Sequence, residues 1–241
     1  MTPEQRAAFE RDGYLAPLQM CSPAEMAHLR ARIEAAVAAR PGPHGGDIWS
    51  SRHQDCRVVY ELCANERIRD AVAQVLGPDL VVWNSVFMAK EPGAGEVPWH
   101  QDRDYLMLEP DISLAVWLAI DDATTANGCL DLLPGSHRER LAHTPRQRPD
   151  EFDASVSDDT ATRRASVPIE LRAGEFLLFC NRILHHSAPN RSTRRRLGLA
   201  IRFTVPSVRV RTDQLFPGHR VYPVRGTHRS ERNPVGQPPL T

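Results

Sequence analysis

The chain has 241 residues and a balanced charge, with 30 Lys plus Arg against 30 Asp plus Glu. This balance gives no global electrostatic basis for binding nucleic acid or an anionic membrane, and no apolar run approaches the roughly 20 residues that cross a bilayer. The 5 cysteines lack CxxC spacing, so we interpret them as reduced thiols. The N-terminal segment has no apolar core like that of a signal peptide, and we therefore expect a cytoplasmic location.

Three helices are predicted in the first third of the chain. Residues 3–12 follow a capping Thr2 and end at Gly13, which are typical start and stop signals. Residues 22–40 begin with the letters SPAE, as expected for a capping box with proline in the first turn. A third helix is predicted over residues 65–76, before a Gly-Pro pair.

Later in the chain the pattern changes to short apolar runs rich in β-branched and aromatic residues, separated by turn signals such as Asn-Gly and Pro-Gly. These runs predict strands at 80–90, 112–120, 129–134, 175–181 and 196–205. Helices followed by short strands favour an antiparallel barrel or jelly roll with helices packed outside. We expect one domain over residues 1–241, divided into a helical part (1–78), a jelly-roll core (79–210) and an irregular tail (211–241).

Two stretches have the composition of irregular loops. Residues 41–56 are rich in Gly and Pro, and residues 137–166 are polar and charged. A long polar insertion in a compact β fold is usually a lid, a binding loop or a disordered segment. The second stretch contains arginines among acidic residues, which could meet an anionic or carrier-tethered substrate, although a solvated loop is favoured: Arg146, Arg148, Arg163 and Arg164.

The segment PWHQDRDYL places His100 and Asp102 two residues apart. In a strand, residues i and i+2 face the same side, so both side chains can reach one point. An imidazole and a carboxylate oxygen suit Fe(II), and a further histidine would complete a facial triad. Alone this pattern is weak evidence, because so short a motif recurs by chance and also occurs in polar surface turns.

A second segment, NRILHHSAPNRSTRRRLGLAIRF (residues 181–203), has histidines at the end of one predicted strand and arginines at the start of the next. A metal-chelated 2-oxo acid requires a guanidinium that binds its far carboxylate through two parallel hydrogen bonds. Since neighbouring residues on a strand face opposite sides, His185 and His186 cannot easily bind the same metal. The segment therefore indicates a metal site that binds a 2-oxo acid.

Four motifs in chain order resemble the phytanoyl-CoA dioxygenase family of Fe(II)- and 2-oxoglutarate-dependent oxygenases. They are EQRAAFERDGYLAP, KEPGAGEVPWHQD, VWLAIDDATTANGCLDLLPGSHR and ILHHSAPNRSTRRRLGLAIRF. The resemblance extends through most of the chain. It implies a double-stranded β-helix (cupin-like jelly roll), Fe(II) as cofactor, and 2-oxoglutarate and O2 as co-substrates.

The resemblance also implies roles for particular residues. The family's third iron ligand lies five residues before the Asn of an H-x-S-x-x-N pattern, which here is His185. His186 stands where relatives often have Gly, so we expect it to contact substrate or solvent. The implied catalytic iron ligands are His100, Asp102 and His185. The implied neighbours of 2-oxoglutarate are Arg196 and Ser187 at its distal carboxylate, with Asn84 and Trp117 bordering it.

The implied reaction is hydroxylation of an unactivated C–H bond in a small-molecule substrate, with release of succinate and CO2. The expected substrate classes are amino acids, acyl thioesters and natural-product intermediates. Halogenating relatives have a small residue at the position of Asp102, so halogenation is disfavoured, while desaturation and cyclisation stay open. A catalytically silent jelly-roll binding protein would lack a ligand or the arginine. A zinc hydrolase with the same ligands would leave Arg196 and Ser187 unexplained.

Overall fold

A computed structural model of the protein describes residues 1–44, 48–102, 108–145, 154–156, 165–211, 218–228 and 231–241. The α-helices in these ranges are α1 (Pro3–Asp12), α2 (Pro23–Ala38), α3 (Arg57–Cys63) and α4 (Glu66–Leu76). Within the described ranges, no helix is both long and apolar enough to traverse a bilayer.

The strands are short and lie mostly in the second half of the chain. They are β1 (Tyr14–Gln19), β2 (Leu80–Lys90), β3 (Val97–His100), β4 (Leu108–Glu109), β5 (Leu114–Ala119), β6 (Leu130–Leu132), β7 (Thr144–Pro145), β8 (Ala154–Ser155), β9 (Val167–Ile169), β10 (Glu175–Cys180), β11 (His185–Ser187), β12 (Arg196–Thr204), β13 (Arg209–Val210) and β14 (Tyr222–Arg225).

Two antiparallel sheets contain most of these strands. The larger sheet has the order β1-β10-β5-β12-β2-β14, and the smaller sheet has the order β3-β11-β6-β9. One buried cluster joins the inner faces of the two sheets, with Trp117 and Ala200 from the larger and Leu132 and Ile169 from the smaller. The sheets therefore pack face to face, and the site described below lies between them.

The helices cover the outer face of the larger sheet. Met26 and Ile33 of α2 and Ile68 of α4 are fully buried and pack in one cluster with Leu118 and Leu199 of that sheet. Full burial of one such side chain contributes about 1.5–3 kcal/mol. This packing confirms the prediction of helices outside a mainly β core.

Local sequence signals explain the predicted helices. Ser22 accepts a hydrogen bond from the backbone N–H of Glu25, and the Glu25 carboxylate accepts one from the backbone N–H of Ser22. Thr2 and Gln5 form the same reciprocal capping box at α1, which ends at Gly13 in the left-handed conformation. These bonds satisfy N–H groups that have no partner within the helix.

Several elements were not predicted, among them β1, α3 and β14. β1 joins the edge of the larger sheet although it contains Pro17, which edge strands tolerate. α3 contains the β-branched run Val58-Val59, which gives no helical signal, yet both valines are buried. β14 lies in the tail that was predicted to be irregular, and its Tyr222 packs in the core beside β2.

The two stretches predicted as irregular loops are only partly described. In the first, Arg52 is fully buried and its guanidinium binds Asp55 and the backbone carbonyls of Val37 and Ile48. These bonds fasten the loop to α2. In the second, the structure describes the short β7–β8 pair, whereas the four arginines named above lie outside the described residues.

Candidate metal centre and co-substrate pocket

Three buried side chains converge between the two sheets. Potential ligand atoms of His100, Asp102 and His185 all lie within 4.8 Å of one another. The Oδ1 atom of Asp102 is 3.8 Å from Nε2 of His100 and 3.9 Å from Nε2 of His185. Each of the three residues is 5% exposed. The cluster is therefore compact enough for its atoms to contact a single ion.

Strand register brings the two histidines together. β11 pairs with β3 so that His185 lies directly opposite His100, and their ring centroids are 4.1 Å apart. Directly opposed residues of an antiparallel pair have neighbouring side chains on one face of the sheet. The spacing predicted that His100 and Asp102 lie in one strand. In the structure His100 is the last residue of β3, and Asp102 lies beyond the strand end.

Both imidazoles are held by backbone carbonyls. Nδ1 of His100 lies 2.8 Å from the carbonyl oxygen of Pro98, and Nδ1 of His185 lies 3.0 Å from that of Ile183. A carbonyl can only accept, so each Nδ1 must carry the proton and donate it. In a neutral ring this leaves the lone pair on Nε2, the atom that faces the cluster. This tautomer is the one that a metal requires.

The charges of the three groups also suit a divalent cation. Burial, together with the nearby His185, lowers the pKa of His100 to about 3. Burial lowers the pKa of His185 as well. For Asp102 burial acts in the raising direction, but the charge and the hydrogen bond of Arg202 oppose it and the pKa is lowered. Two neutral imidazoles and one carboxylate are the donor set of non-haem Fe(II) oxygenases.

His186 points to the other side of β11. Its ring stacks on Trp99 with centroids 4.9 Å apart, and its Nδ1 lies 3.4 Å from an Asp131 carboxylate oxygen. The structure therefore shows the alternation expected in a strand, with the two neighbouring histidines on opposite sides of β11. It places His185, and not His186, in the buried cluster.

A cavity of about 240 Å³ opens beside the cluster. Its wall combines the three clustered residues with polar and cationic side chains, Ser187, Arg196 and Arg202, and with apolar ones, including Met88, Val97, Leu130 and Phe179. The cavity therefore offers cations next to the cluster and an apolar surface for the remainder of a bound molecule.

Arg196, the first residue of β12, is a buried cation at this cavity. Its Nη1 lies 3.4 Å from the carbonyl oxygen of Met88 and its Nη2 lies 3.5 Å from Oγ of Ser187, both long contacts. Its Nε has no hydrogen-bond partner among the described residues. Burial lowers the pKa of Arg196 to about 10. A buried guanidinium with only long contacts to the protein can bind a carboxylate ligand through charge-assisted hydrogen bonds.

Lys90 adds a second buried cation beside the first. Its ammonium donates to Oγ of Ser187 at 2.8 Å and to the carbonyl oxygens of Ser187 and Ala188 at 3.0 and 2.6 Å. Burial and the charge of Arg196 lower the pKa of Lys90 to about 8. Ser187 in turn donates to the carbonyl of Gly128 at 3.0 Å. Lys90 is not among the residues that line the cavity, but its charge lies next to Ser187, which is, and so favours an anion there.

The two residues expected to border the co-substrate, Trp117 and Asn84, differ in their position relative to the cavity. Trp117 lines the cavity, and the Arg196 guanidinium carbon lies 5.2 Å from the centre of its ring. Asn84 is half-buried on β2, lies opposite Arg202 in the sheet and contacts Ser51 at 3.3 Å. It is not among the residues that line the cavity.

Sequence reasoning missed Arg202, which also lies at the cavity. Arg202 follows Arg196 by six residues on the same strand, β12. An even spacing along a strand puts both side chains on one face. This signal was present in the sequence, but it gives the direction of the side chain and not its partner.

Comparisons with known proteins agree with this architecture. The model of the phytanoyl-CoA dioxygenase (PhyH) family matches residues 9–198. Phytanoyl-CoA dioxygenase 1 of Oryza sativa subsp. japonica is 35% identical over 123 residues, which are 50% of this chain and 43% of the relative. Peroxisomal phytanoyl-CoA dioxygenase of Homo sapiens is 23% identical over 233 residues, 84% of this chain and 68% of the relative. The match to the first three curated relatives spans 40–43% of their length.

Solved structures share the fold over nearly the whole chain. The non-heme monooxygenase ThoJ, in its apo form, is 26% identical, with a TM-score of 0.80 over 98% of this chain and 88% of that chain. CytC3 with Fe(II) and α-ketoglutarate is 23% identical, with a TM-score of 0.75 over 98% and 93% of the two chains. The predicted jelly-roll fold is confirmed. Since the family model covers most of its length, this chain belongs to the phytanoyl-CoA dioxygenase family.

Proposed function

We propose that this protein is an Fe(II)- and 2-oxoglutarate-dependent dioxygenase that hydroxylates an unactivated C–H bond of a small molecule. The observation that carries the proposal is the buried cluster of His100, Asp102 and His185 beside a cationic cavity. Membership of the phytanoyl-CoA dioxygenase family supports it, as does the CytC3 structure of similar fold, which contains Fe(II) and α-ketoglutarate.

In this proposal Nε2 of His100, Nε2 of His185 and Oδ1 of Asp102 would hold Fe(II). Bound there, the iron would supply O2 activation coupled to oxidative decarboxylation of 2-oxoglutarate to succinate and CO2. Three protein ligands on one face leave the opposite positions to co-substrates. Asp102 fills the place that halogenating relatives leave vacant, which favours hydroxylation.

The chain's own residues would position 2-oxoglutarate. Arg196 lies at the cavity, its Nε has no hydrogen-bond partner among the described residues, and it would bind the distal carboxylate through parallel hydrogen bonds. Ser187 would contact the same carboxylate, and Trp117 would form one wall of the pocket. Lys90 holds Ser187 in place through its hydroxyl and carbonyl oxygens.

The substrate would enter along the apolar side of the cavity. Met88 is 39% exposed and also lines the cavity, so it marks an opening to solvent. Val97, Leu130 and Phe179 give the described wall a surface for aliphatic or aromatic groups. We infer a small-molecule substrate with an apolar portion, drawn from amino acids, acyl thioesters or natural-product intermediates.

The test is an anaerobic titration of metal-free protein with Fe(II) and then 2-oxoglutarate, followed by visible absorbance. A weak charge-transfer band that requires both additions is expected for wild type and for His186→Ala, and not for His185→Ala. His186 is the matched control because it is the neighbouring histidine, directed away from the cluster. A wild-type protein without the band, or without succinate formation in air with any substrate of a broad panel, would contradict the proposal.

A further inference from the structure

We propose that Arg202 is a positioning residue that orients Asp102, so that only one carboxylate oxygen of Asp102 faces the metal. This inference rests on the proposed function, since it assigns Asp102 as a ligand. It goes beyond that function because it identifies how the ligand's geometry is set.

The two oxygens of Asp102 have different partners. Oδ2 accepts a hydrogen bond from Nη2 of Arg202 at 3.0 Å. Oδ1 is the atom that lies 3.8 Å from Nε2 of His100 and 3.9 Å from Nε2 of His185. Arg202 therefore engages the oxygen that faces away from the histidine nitrogens and leaves the other one directed at the cluster.

Arg202 is well placed to fix this orientation. It lies in β12, where its backbone is paired with Ala115 of β5 on one side and with Asn84 of β2 on the other. Asp102, by contrast, lies beyond the end of β3, outside the paired residues of the smaller sheet. The ion pair thus connects a residue beyond a strand end to an inner strand of the opposite sheet.

Burial limits the access of water to this ion pair. The side chains of Arg202 and Asp102 are 13% and 6% exposed, so water has little access to compete for either group. A carboxylate can bind a metal through one oxygen or through both. With Oδ2 held by a guanidinium, Asp102 would bind through Oδ1 alone and would occupy a single coordination position. The remaining positions would stay open for 2-oxoglutarate and O2.

Two opposing effects make the inference testable. A guanidinium near a metal repels it, so by Coulomb's law alone the removal of Arg202 should strengthen metal binding. If Arg202 acts by positioning Asp102, its removal should weaken metal binding instead. Loss of such outer contacts to a ligand typically costs about 10–100-fold in metal affinity.

The experiment measures Ni(II) affinity by calorimetry in wild type, Arg202→Gln, Arg202→Lys and Arg195→Gln. Ni(II) binds imidazole tightly enough to be measured in weakened sites. We expect affinity to fall about 10–100-fold in Arg202→Gln, less in Arg202→Lys, and not at all in Arg195→Gln. Arg195 is the control because its ion pairs with Asp121 and Glu34 lie away from the cluster. The visible d–d absorption of Co(II)-loaded protein should change in Arg202→Gln only.

A second background separates positioning from a general structural role. In Asp102→Gly protein, Arg202→Gln should no longer weaken Ni(II) binding, because the group on which Arg202 acts is missing. Thermal unfolding of each metal-free variant checks that it folds, and Arg202→Lys serves if Arg202→Gln does not. Equal weakening in both backgrounds, or unchanged or stronger binding in Arg202→Gln with Asp102 present, would overturn the inference.

Failure of the inference about Arg202 can be distinguished from failure of the proposed function. Ni(II) binding is measured without 2-oxoglutarate or O2, so a missing charge-transfer band would refute the oxygenase and leave this assignment standing. Wild-type protein that binds no Ni(II) would refute both.

Discussion

Arg196 and Lys90 are two buried cations that both contact Ser187, a residue of the cavity wall. Burial lowers the pKa of both groups, to about 10 and about 8. Mutual repulsion and desolvation both oppose this arrangement. A dianionic co-substrate would offset both costs at once, and we expect the binding of 2-oxoglutarate to depend strongly on Arg196.

Replacing Arg196 with Gln should raise the Kd of 2-oxoglutarate sharply. Removing one partner of a buried charge pair costs about 2–5 kcal/mol, which is at least roughly 30-fold in Kd. The measurement is the 2-oxoglutarate dependence of the charge-transfer band, with Arg194→Gln as control because Arg194 is largely exposed at the same strand start. Equal affinities in wild type and Arg196→Gln would show that the distal carboxylate binds elsewhere.

At the scale of single residues, sequence reasoning indicated candidates that lie in short, recognisable motifs. The resemblance to the family's H-x-S-x-x-N pattern implied His185, and His100 and Asp102 form a recognisable HxD pattern. The pairing of Arg202 with Asp102 could not be found in this way, because 100 residues separate them. Nothing in a single sequence indicates which of many distant carboxylates a guanidinium will meet. That contact depends on how the two sheets face each other.

At the scale of elements, β12 carries much of the site because it packs closely against β5. Gly198 allows this approach: a Cβ built on it would lie 2.0 Å from the Trp117 ring. The same ring lies beside Arg196 and lines the cavity. The missing side chain at position 198 therefore sets the position of the pocket wall.

Gly198→Ala should destabilise the protein and disturb the pocket together. Overpacking a filled core costs about 1–3 kcal/mol, and the displaced Trp117 would move into the space beside Arg196. Urea unfolding and 2-oxoglutarate affinity measure the two effects. Gly95→Ala is the control, because a Cβ there meets no atom within 4 Å. Trp117→Phe in the Gly198→Ala background should recover part of the stability, and an absence of recovery would show that the clash is not with Trp117.

Elements with strong local signals were predicted correctly, and elements that depend on partners were not. Helix α2 has its own capping residues, and β2 has a long apolar run. The strands that hold the histidines, Val97–His100 and His185–Ser187, are only 4 and 3 residues long. The two strands pair with each other, and β11 also pairs with β6. This pairing stabilises them, and a local pattern does not contain that information.

At the scale of the whole molecule, burial of neutral histidines couples folding to pH. His53 is fully buried, with its Nδ1 2.7 Å from Oγ of Ser85. Burial, together with the imidazoles of His219 and His44, lowers the pKa of His53 to about 3 from its ordinary 6.5. Between these two values the unfolded chain binds a proton at this histidine that the folded protein does not.

Stability should therefore fall as the pH drops from 6.5 towards 3, and His53 should contribute no pH dependence above 6.5. One proton corresponds to a slope of about 1.4 kcal/mol per pH unit. Urea unfolding of metal-free wild type and His53→Gln, compared across this range, checks the contribution. The slope of the variant should be smaller. Identical slopes in the two proteins would mean that His53 is protonated in the folded state.

The cross-strand pairing of His100 with His185 has a consequence for chain entropy. These residues lie on neighbouring strands but far apart in the sequence, and a metal held by both would close a long loop as a reversible cross-link. Cross-links of this kind restrict the unfolded chain, and a ligand that binds only the folded state stabilises it in proportion to the logarithm of its concentration. Metal supply would then govern the lifetime of the protein as well as its activity. Loss of the ion would remove this cross-link between β3 and β11 and lower the stability of the folded protein.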